Sequence, residues 1–166
     1  MSLTDSMTKL FNRRYYNEYF PKLLNIGKRD KKYVAMIMFD VDKFKQYNDN
    51  YGHQKGDDAL IAIAKTLNEC CARGSDVALR LGGEEFAVLL PNTDLDGAMC
   101  ALTKAMDRVK SLHCHVEDGP VRMPSFSAGV AMYHDGEITG TFIERADQAL
   151  YRAKSLGRNR VESALH

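Results

Sequence analysis

A chain of 166 residues with 45% hydrophobic and 27% charged positions has an ordinary globular composition and is long enough to bury a core without staples. A net charge of +1 gives no argument for nucleic acid or a membrane surface, which usually demand a basic excess. The four cysteines, Cys70, Cys71, Cys100 and Cys114, form no CxxC pair and no disulfide framework, and no apolar run nears the roughly 20 residues that span a bilayer.

Met1-Ser2-Leu3 reads as an expression scar, so the expectation is one domain excised from a longer protein. Across residues 12–28, Tyr16, Tyr19, Phe20, Leu23 and Leu24 recur at helical spacing. After the basic break Lys28-Arg29-Asp30-Lys31-Lys32, the apolar run 33–39 predicts a strand buried on both faces and ending at Asp40. A short polar helix or turn follows to Tyr51. Gly56-Asp57-Asp58 then opens a helix that carries Leu60, Ile63, Ala64, Leu67 and Cys71 on one face.

Residues 77–81 and 85–90 predict a hairpin around Gly82-Gly83. The break at 91–94 precedes an amphipathic helix marked by Leu95, Ala98, Met99, Leu102, Met106 and Val109. His113-Cys114-His115 lacks the spacing and the second ligand pair of a zinc site. A strand is expected at 125–133, and Phe142, Ile143, Ala146, Ala149, Leu150 and Ala153 mark a last helix ending near Gly157. Helices interleaved with a mixed sheet place the chain in the α/β or α+β class.

The chemistry concentrates in Arg80-Leu81-Gly82-Gly83-Glu84-Glu85-Phe86. Two glycines permit positive φ and leave no side chain to block a ligand, and two carboxylates stand at the exit of the turn. Glu84 and Glu85 point to opposite faces, so they cannot share one task. In Asp40-Val41-Asp42, at a strand end where open sheets place ligands, Asp40 suits a hard cation and Asp42 suits a helix cap. If the hairpin pairs beside that strand, Asp40 and Glu84 approach across the sheet end, a donor set suited to Mg²⁺ and two-metal nucleotidyl transfer. On the last helix, Lys154 and Arg158 are spaced to reach one point and suit a phosphate tail, or belong to a solvated face. Asn48 and Asp57 are an amide and a carboxylate able to read a guanine edge, or turn and cap residues.

Five segments in order carry a family likeness. They are Asp5-x-x-Thr8-x-Leu10-x-Asn12-Arg13-Arg14, Asp40-Val41-Asp42-x-Phe44-Lys45-x-x-Asn48-Asp49, Gly52-His53-x-x-Gly56-Asp57, the Arg80–Phe86 segment, and Ala146-Asp147-x-Ala149-Leu150-Tyr151-x-Ala153-Lys154-x-x-Gly157-Arg158-Asn159. Together they resemble the GGDEF domain of diguanylate cyclases, over residues 5–162. Glu84 stands where the family name has Asp, with the charge kept, and Met7 stands where Leu is usual.

The resemblance implies a palm-like, ferredoxin-like fold of nucleotidyl-cyclase type, with a mostly antiparallel mixed sheet wrapped by helices. It implies condensation of two GTP into cyclic di-GMP and two pyrophosphates. By residue matching, Asp40, the Val41 carbonyl and Glu84 would hold two Mg²⁺ or Mn²⁺ ions per active site, and Glu85 fills the second acidic position. Asn48 and Asp57 would read guanine, and Gly82 and Gly83 would accommodate the nucleotide. Lys154, Arg158 and the amides of Phe44 and Lys45 would hold the phosphates. Arg73-Gly74-Ser75-Asp76 fits the family's RxxD inhibitory site at its usual offset before the glycine turn, with Arg73 and Asp76 binding product. The implied partners are a second copy in a two-fold dimer and an upstream sensor. The implied setting is a cytoplasmic domain, with inner-membrane anchoring of the parent protein left open. The competing readings are a silent GTP or cyclic di-GMP binding module and a bridging interaction domain. Both sit poorly with the intact set Asp40, Glu84, Glu85, Lys154 and Arg158.

Overall fold

A computed structural model describes residues 2–29, 33–71, 73–116 and 119–165, with backbone alone at 26–29, 113–116 and 119–121. The side chains of His113, Cys114 and His115 therefore lie outside the described set.

The elements follow in the order α1 (Arg13–Arg29), β1 (Val34–Val41), α2 (Phe44–Tyr51), α3 (His53–Cys70), β2 (Val77–Gly82), β3 (Glu85–Pro91), α4 (Leu95–Ser111), β4 (His113–Val116), β5 (Gly119–Arg122), β6 (Phe126–Met132), α5 (Thr139–Ser155) and β7 (Val161–Ser163). Five strands form one sheet in the order β2-β3-β1-β6-β7, and β4 and β5 form a separate two-stranded ribbon. All pairings in the main sheet are antiparallel except β6 with β7. The mostly antiparallel mixed sheet expected from the family likeness is the one observed. No helix among the described residues is long and apolar enough to cross a membrane.

Strand β1 is apolar at nearly every position because it is central and covered on both faces. Ala35, Ile37, Phe39 and Val41 pack with Leu60, Ile63 and Leu67 of α3 and Ala98 and Leu102 of α4. Val34, Met36 and Met38 pack instead with Phe20 and Leu24 of α1 and Phe142 and Ala146 of α5. The strand's period of two thus sorts its side chains into two cores, and Asp40 falls on the α1/α5 side.

Helix α5 lies very close to the sheet. A Cβ at Gly129 of β6 would stand 2.2 Å from the Leu150 nitrogen and 2.3 Å from the Ala146 oxygen. Rigid backbone fills that space, so only glycine fits beneath α5. The alanines at 146, 149 and 153 complete the close approach, and this sets the height from which Lys154 reaches the end of β1.

Two expectations need correction. Helix α3 begins at His53 rather than at Gly56, because Gly52 turns the chain at φ 90° and its carbonyl accepts from the Gly56 amide at 3.1 Å. Asp57 and Asn48 are therefore interior helix residues and not caps. Asp42, expected to cap the next helix, does not do so. The cap position of α2 is Lys43, in the left-handed region at φ 50° with no side-chain cap bond. The short strand β7 and the β4–β5 ribbon carry too little apolar periodicity to be read from sequence.

Candidate active site

The register of the sheet builds the site. Asp40 lies directly across from Glu85, and Phe39 across from Phe86. Behind the carboxylates, the Phe39 ring stacks on Phe86 with centroids 5.2 Å apart and meets Phe126 at 5.5 Å. All three rings are buried, and burial at about 1.5–3 kcal/mol each makes this end of the sheet stiff. Glu84 lies one residue beyond the pairing and accepts the Val41 amide on its carbonyl at 3.2 Å.

The glycine turn forms as the sequence requires. Gly82 and Gly83 have φ of 146° and 51°, and a Cβ at either would meet nothing within 4 Å, so the space beside the turn is open. Two residues that sequence reasoning quoted without a role hold this turn. Arg80 donates twice to the Gly83 carbonyl, at 2.9 and 3.0 Å, and twice to Asp5, at 3.1 and 3.2 Å. Burial pushes the Asp5 carboxyl up, but its two hydrogen bonds from Thr8 and the Arg80 guanidinium outweigh that and hold it below the ordinary value. Arg13 donates to the Leu81 carbonyl at 2.9 Å. The only signal in the sequence was the fixed spacing of Asp5, Thr8 and Arg13, which has no meaning until β2 lies beside them.

Lys154 comes down from α5 and pairs with Asp40 through its Oδ2 atom. The other oxygen, Oδ1, is buried without a hydrogen-bond partner. Burial raises the Asp40 carboxyl above its ordinary value; Lys154 opposes the rise, while Glu84 and Glu85 add to it. A buried, orphaned carboxylate oxygen beside two further acids fits a hard divalent cation. No group of three His, Cys, Asp or Glu side chains among the described residues forms a ready-made cage. Two carboxylates and a backbone carbonyl leave room for water and phosphate oxygens, as Mg²⁺ prefers.

At the start of α2 the amides of Phe44 and Lys45 have no intrahelical acceptor and no side-chain cap, which is a general anion-binding arrangement. The Asn48 Oδ1 atom is buried without a partner and lies against Gly56, where a Cβ would come within 1.7 Å of it. Asp57, half-buried on α3, makes no side-chain hydrogen bond or ion pair among the described residues. The Arg158 guanidinium is likewise unpaired among them; the residue sits past the end of α5 with φ 66°. Glu85 faces a cavity of about 450 Å³ that it lines with Arg13, Tyr16, Met38 and Asp147.

Arg73 and Asp76 lie away from this site, at the end of α3. They pair with each other, with Arg73 Nη2 and Asp76 Oδ1 3.2 Å apart and the Asp76 side chain only 3% exposed. Arg73 also donates to the Pro91 carbonyl at 3.3 Å and to the Thr93 hydroxyl. A second cavity of about 450 Å³ adjoins them, lined also by Glu69, Cys70 and Ala101.

Comparison with known proteins agrees with this geometry. Residues 2–160 match the family described as diguanylate cyclase, GGDEF domain. The diguanylate cyclase DgcM of Escherichia coli K12 is 42% identical over 163 residues, covering 96% of this chain and 38% of that protein. Diguanylate cyclase A of Treponema denticola is 38% identical over 97% of this chain and 44% of its own length. The chain thus spans less than half the length of these curated relatives. Among solved structures, the GGDEF domain of DgcB from Caulobacter crescentus in complex with c-di-GMP superposes with a TM-score of 0.93 at 30% identity, covering 99% of this chain and 94% of that one. The active GGEEF domain of a diguanylate cyclase from Vibrio cholerae gives 0.86 at 31% identity, with 99% of both chains covered. With nearly its whole length matched by sequence and by fold, the chain belongs to the GGDEF family of diguanylate cyclases.

Proposed function

We propose that this chain is a cyclase domain, 5–162, of a longer signalling protein, and that it condenses two GTP into cyclic di-GMP and two pyrophosphates. In each half-reaction a 3′-hydroxyl attacks the α-phosphate of the other nucleotide. A 3′-O–P bond forms, the bond to pyrophosphate breaks and the hydroxyl proton is lost. The observation that carries this reading is the orphaned, buried Asp40 oxygen beside Glu84 and Glu85 at an open glycine turn. A site kept only for binding has no need of a partly buried carboxylate held against its own solvation.

Asp40, the Val41 carbonyl and Glu84 are the residues that would hold two Mg²⁺ or Mn²⁺ ions. When bound, the ions would neutralise charge developing on the transferring phosphoryl group. Phe44 and Lys45 amides, Lys154 and Arg158 hold the β- and γ-phosphates. Gly82 and Gly83 let the nucleotide lie against bare backbone. Asn48 and Asp57 read the guanine edge, and the buried, unpartnered Asn48 oxygen supports that role. Glu85 adds negative charge within electrostatic reach of Asp40. Arg73 and Asp76 bind product once Arg73 releases Asp76. An upstream sensor and a cytoplasmic setting belong to the same proposal.

Incubation with GTP and Mg²⁺, with the nucleotides then resolved by chromatography, tests the reading. Cyclic di-GMP and pyrophosphate in a 1:2 ratio are expected. Bound but unconverted GTP at high protein concentration would replace the enzyme with a binding module.

A further inference from the structure

Asp42 has no place in the chemistry above, yet it is the one charged residue buried as a whole among the described residues, at 8% exposure. Its carboxylate is fully engaged. Oδ1 accepts the Ser127 hydroxyl at 2.6 Å, and Oδ2 accepts the Ser125 hydroxyl at 2.7 Å and the Asn159 amide at 3.0 Å. The Asp42 amide itself donates to the Ser125 carbonyl at 2.8 Å. A single anion thus ties the end of β1 to the start of β6 and to the turn that leaves α5. Removing a charge from water is costly unless donors of this kind surround it, so the arrangement must return something.

The turn it holds is unusual. Gly157, Arg158 and Asn159 have φ of 118°, 66° and 48°, three successive residues in the left-handed region. For Gly157 this is cheap and Asn159 tolerates it better than most residues, but for Arg158 the left-handed φ is strained. The Arg158 amide returns to the Ala153 carbonyl at 3.0 Å, and the Arg160 carbonyl accepts the Ala128 amide at 3.0 Å. Between these fixed points the Asn159 amide has one acceptor, the Asp42 carboxylate. The exposed Arg160 side chain also braces this stretch, its Nε donating to the Arg158 carbonyl at 3.3 Å, but Asp42 supplies the buried anchor. With it, the Arg158 backbone is held between Ala153 and Asp42, chain neighbours of Lys154 and Asp40.

We propose that Asp42 is a positioning residue for the phosphate clamp: its carboxylate, through the Asn159 amide, fixes the left-handed turn that aims Arg158 at the terminal phosphates of the nucleotide. The inference rests on the reading of Arg158 as a phosphate ligand. Asp42 touches neither substrate nor metal in this account. Its effect therefore falls on nucleotides in proportion to the phosphates that reach Arg158, and it vanishes when Arg158 is gone.

The test is a double-mutant cycle on the whole chain, with GTP and GMP affinities measured by calorimetry in Ca²⁺ to prevent turnover. Asp42→Asn should weaken GTP binding roughly tenfold and leave GMP binding within about twofold. In an Arg158→Ala background, Asp42→Asn should cost GTP almost nothing further. Ser127→Ala keeps the anion and removes one donor, so it should show a smaller loss in the same direction, also for GTP alone; it serves as the second variant should Asp42→Asn not fold. Equal losses for GTP and GMP, or losses that add in the double variant, overturn the positioning role while leaving Arg158 as a clamp. Unchanged GTP affinity in Arg158→Ala alone overturns the clamp and this inference together.

Discussion

Lys154 of α5 is paired with Asp40 of β1, so the cation expected to hold phosphate rests on the carboxylate expected to hold metal. The two residues are 114 positions apart, and the pair is possible only because Gly129 lets α5 settle onto the sheet. The contact has a chemical consequence. A metal ion and a polyphosphate arriving together would take Asp40 and Lys154 respectively, exchanging one ion pair for two. The apo pair keeps both groups partly neutralised meanwhile.

The first prediction follows from the cost of that site. Burial raises the Asp40 carboxyl above the ordinary 3.8, so the folded chain holds the proton to a higher pH than the unfolded chain does. The sign is then fixed. The contribution of Asp40 to stability is greatest below 3.8 and falls as pH rises through the interval up to the raised folded value, above which the loss is constant. Asp40→Asn removes the loss, and Lys154, a third exposed, can turn to water. The variant should melt higher than the parent at pH 7, with the difference narrowing toward acid. Mg²⁺ or Mn²⁺ should raise the melting temperature of the parent and leave the variant unmoved. A variant that melts lower at pH 7, or that is still stabilised by the ions, would contradict the assignment.

Glu84→Gln isolates catalysis from folding. Glu84 is partly exposed beyond the last strand pair, so the swap removes charge with little change of packing. Cyclic di-GMP formation should fall by about two to three orders of magnitude, with the melting temperature nearly unchanged. Near-normal turnover by the folded variant would sink the role of Glu84.

Gly56→Ala probes the base site from behind. The added methyl would land 1.7 Å from the Asn48 oxygen, and a side-chain end yields more readily than backbone does. Alanine gains about 0.5–1 kcal/mol over glycine inside a helix, which offsets the crowding. Stability should therefore change little, while GTP affinity falls about tenfold and its advantage over ATP shrinks. Preserved selectivity for GTP in this variant would remove Asn48 from base recognition.

The sheet, its flanking helices and the glycine hairpin were legible because period-two and helical apolar spacing report burial directly. Asp40 was legible as well, as an acid ending an apolar strand. Asp42 was misread for a physical reason. A carboxylate just before a helix has a local explanation as a cap, whereas its real partners, Ser125, Ser127 and Asn159, lie more than 80 residues away. The Arg80–Asp5 bond that stiffens the turn was hidden in the same way, by 75 intervening positions. Sequence pattern reports which side chains are buried; it does not report which distant polar groups meet.

The RxxD pair gives a prediction about inhibition. Arg73 is held by Asp76, the Pro91 carbonyl and Thr93, so product must displace these contacts to engage its guanidinium. Cyclic di-GMP should bind the chain at a site separate from GTP, and Arg73→Ala should weaken that binding at least about tenfold without changing GTP affinity. Unchanged product affinity in the variant would reduce the motif to a helix-ending turn.

The last prediction concerns assembly. Among the described residues there is one glycine turn of this kind, and the proposed site draws on one Asp40, one Glu84, one Lys154 and one Arg158, which provides one place for GTP. The product contains two phosphodiester bonds, each joining a 3′-oxygen of one nucleotide to the α-phosphate of the other. Reaction requires near-contact of about 3 to 3.5 Å between those atoms. One copy cannot bring two nucleotides to that distance with a single site. Two copies facing each other across a two-fold axis can, with the nucleotides antiparallel between them and each bond made by an equivalent surface. Each open glycine turn then faces the other copy's nucleotide. The rate per molecule should therefore rise with protein concentration, steeply where the copies are mostly apart and levelling once they are paired. Fusion to a parallel dimeric helix should raise the rate at low concentration and remove most of that dependence. A rate per molecule that stays constant from nanomolar dilution upward, with only monomer in sedimentation, would rule the two-copy mechanism out.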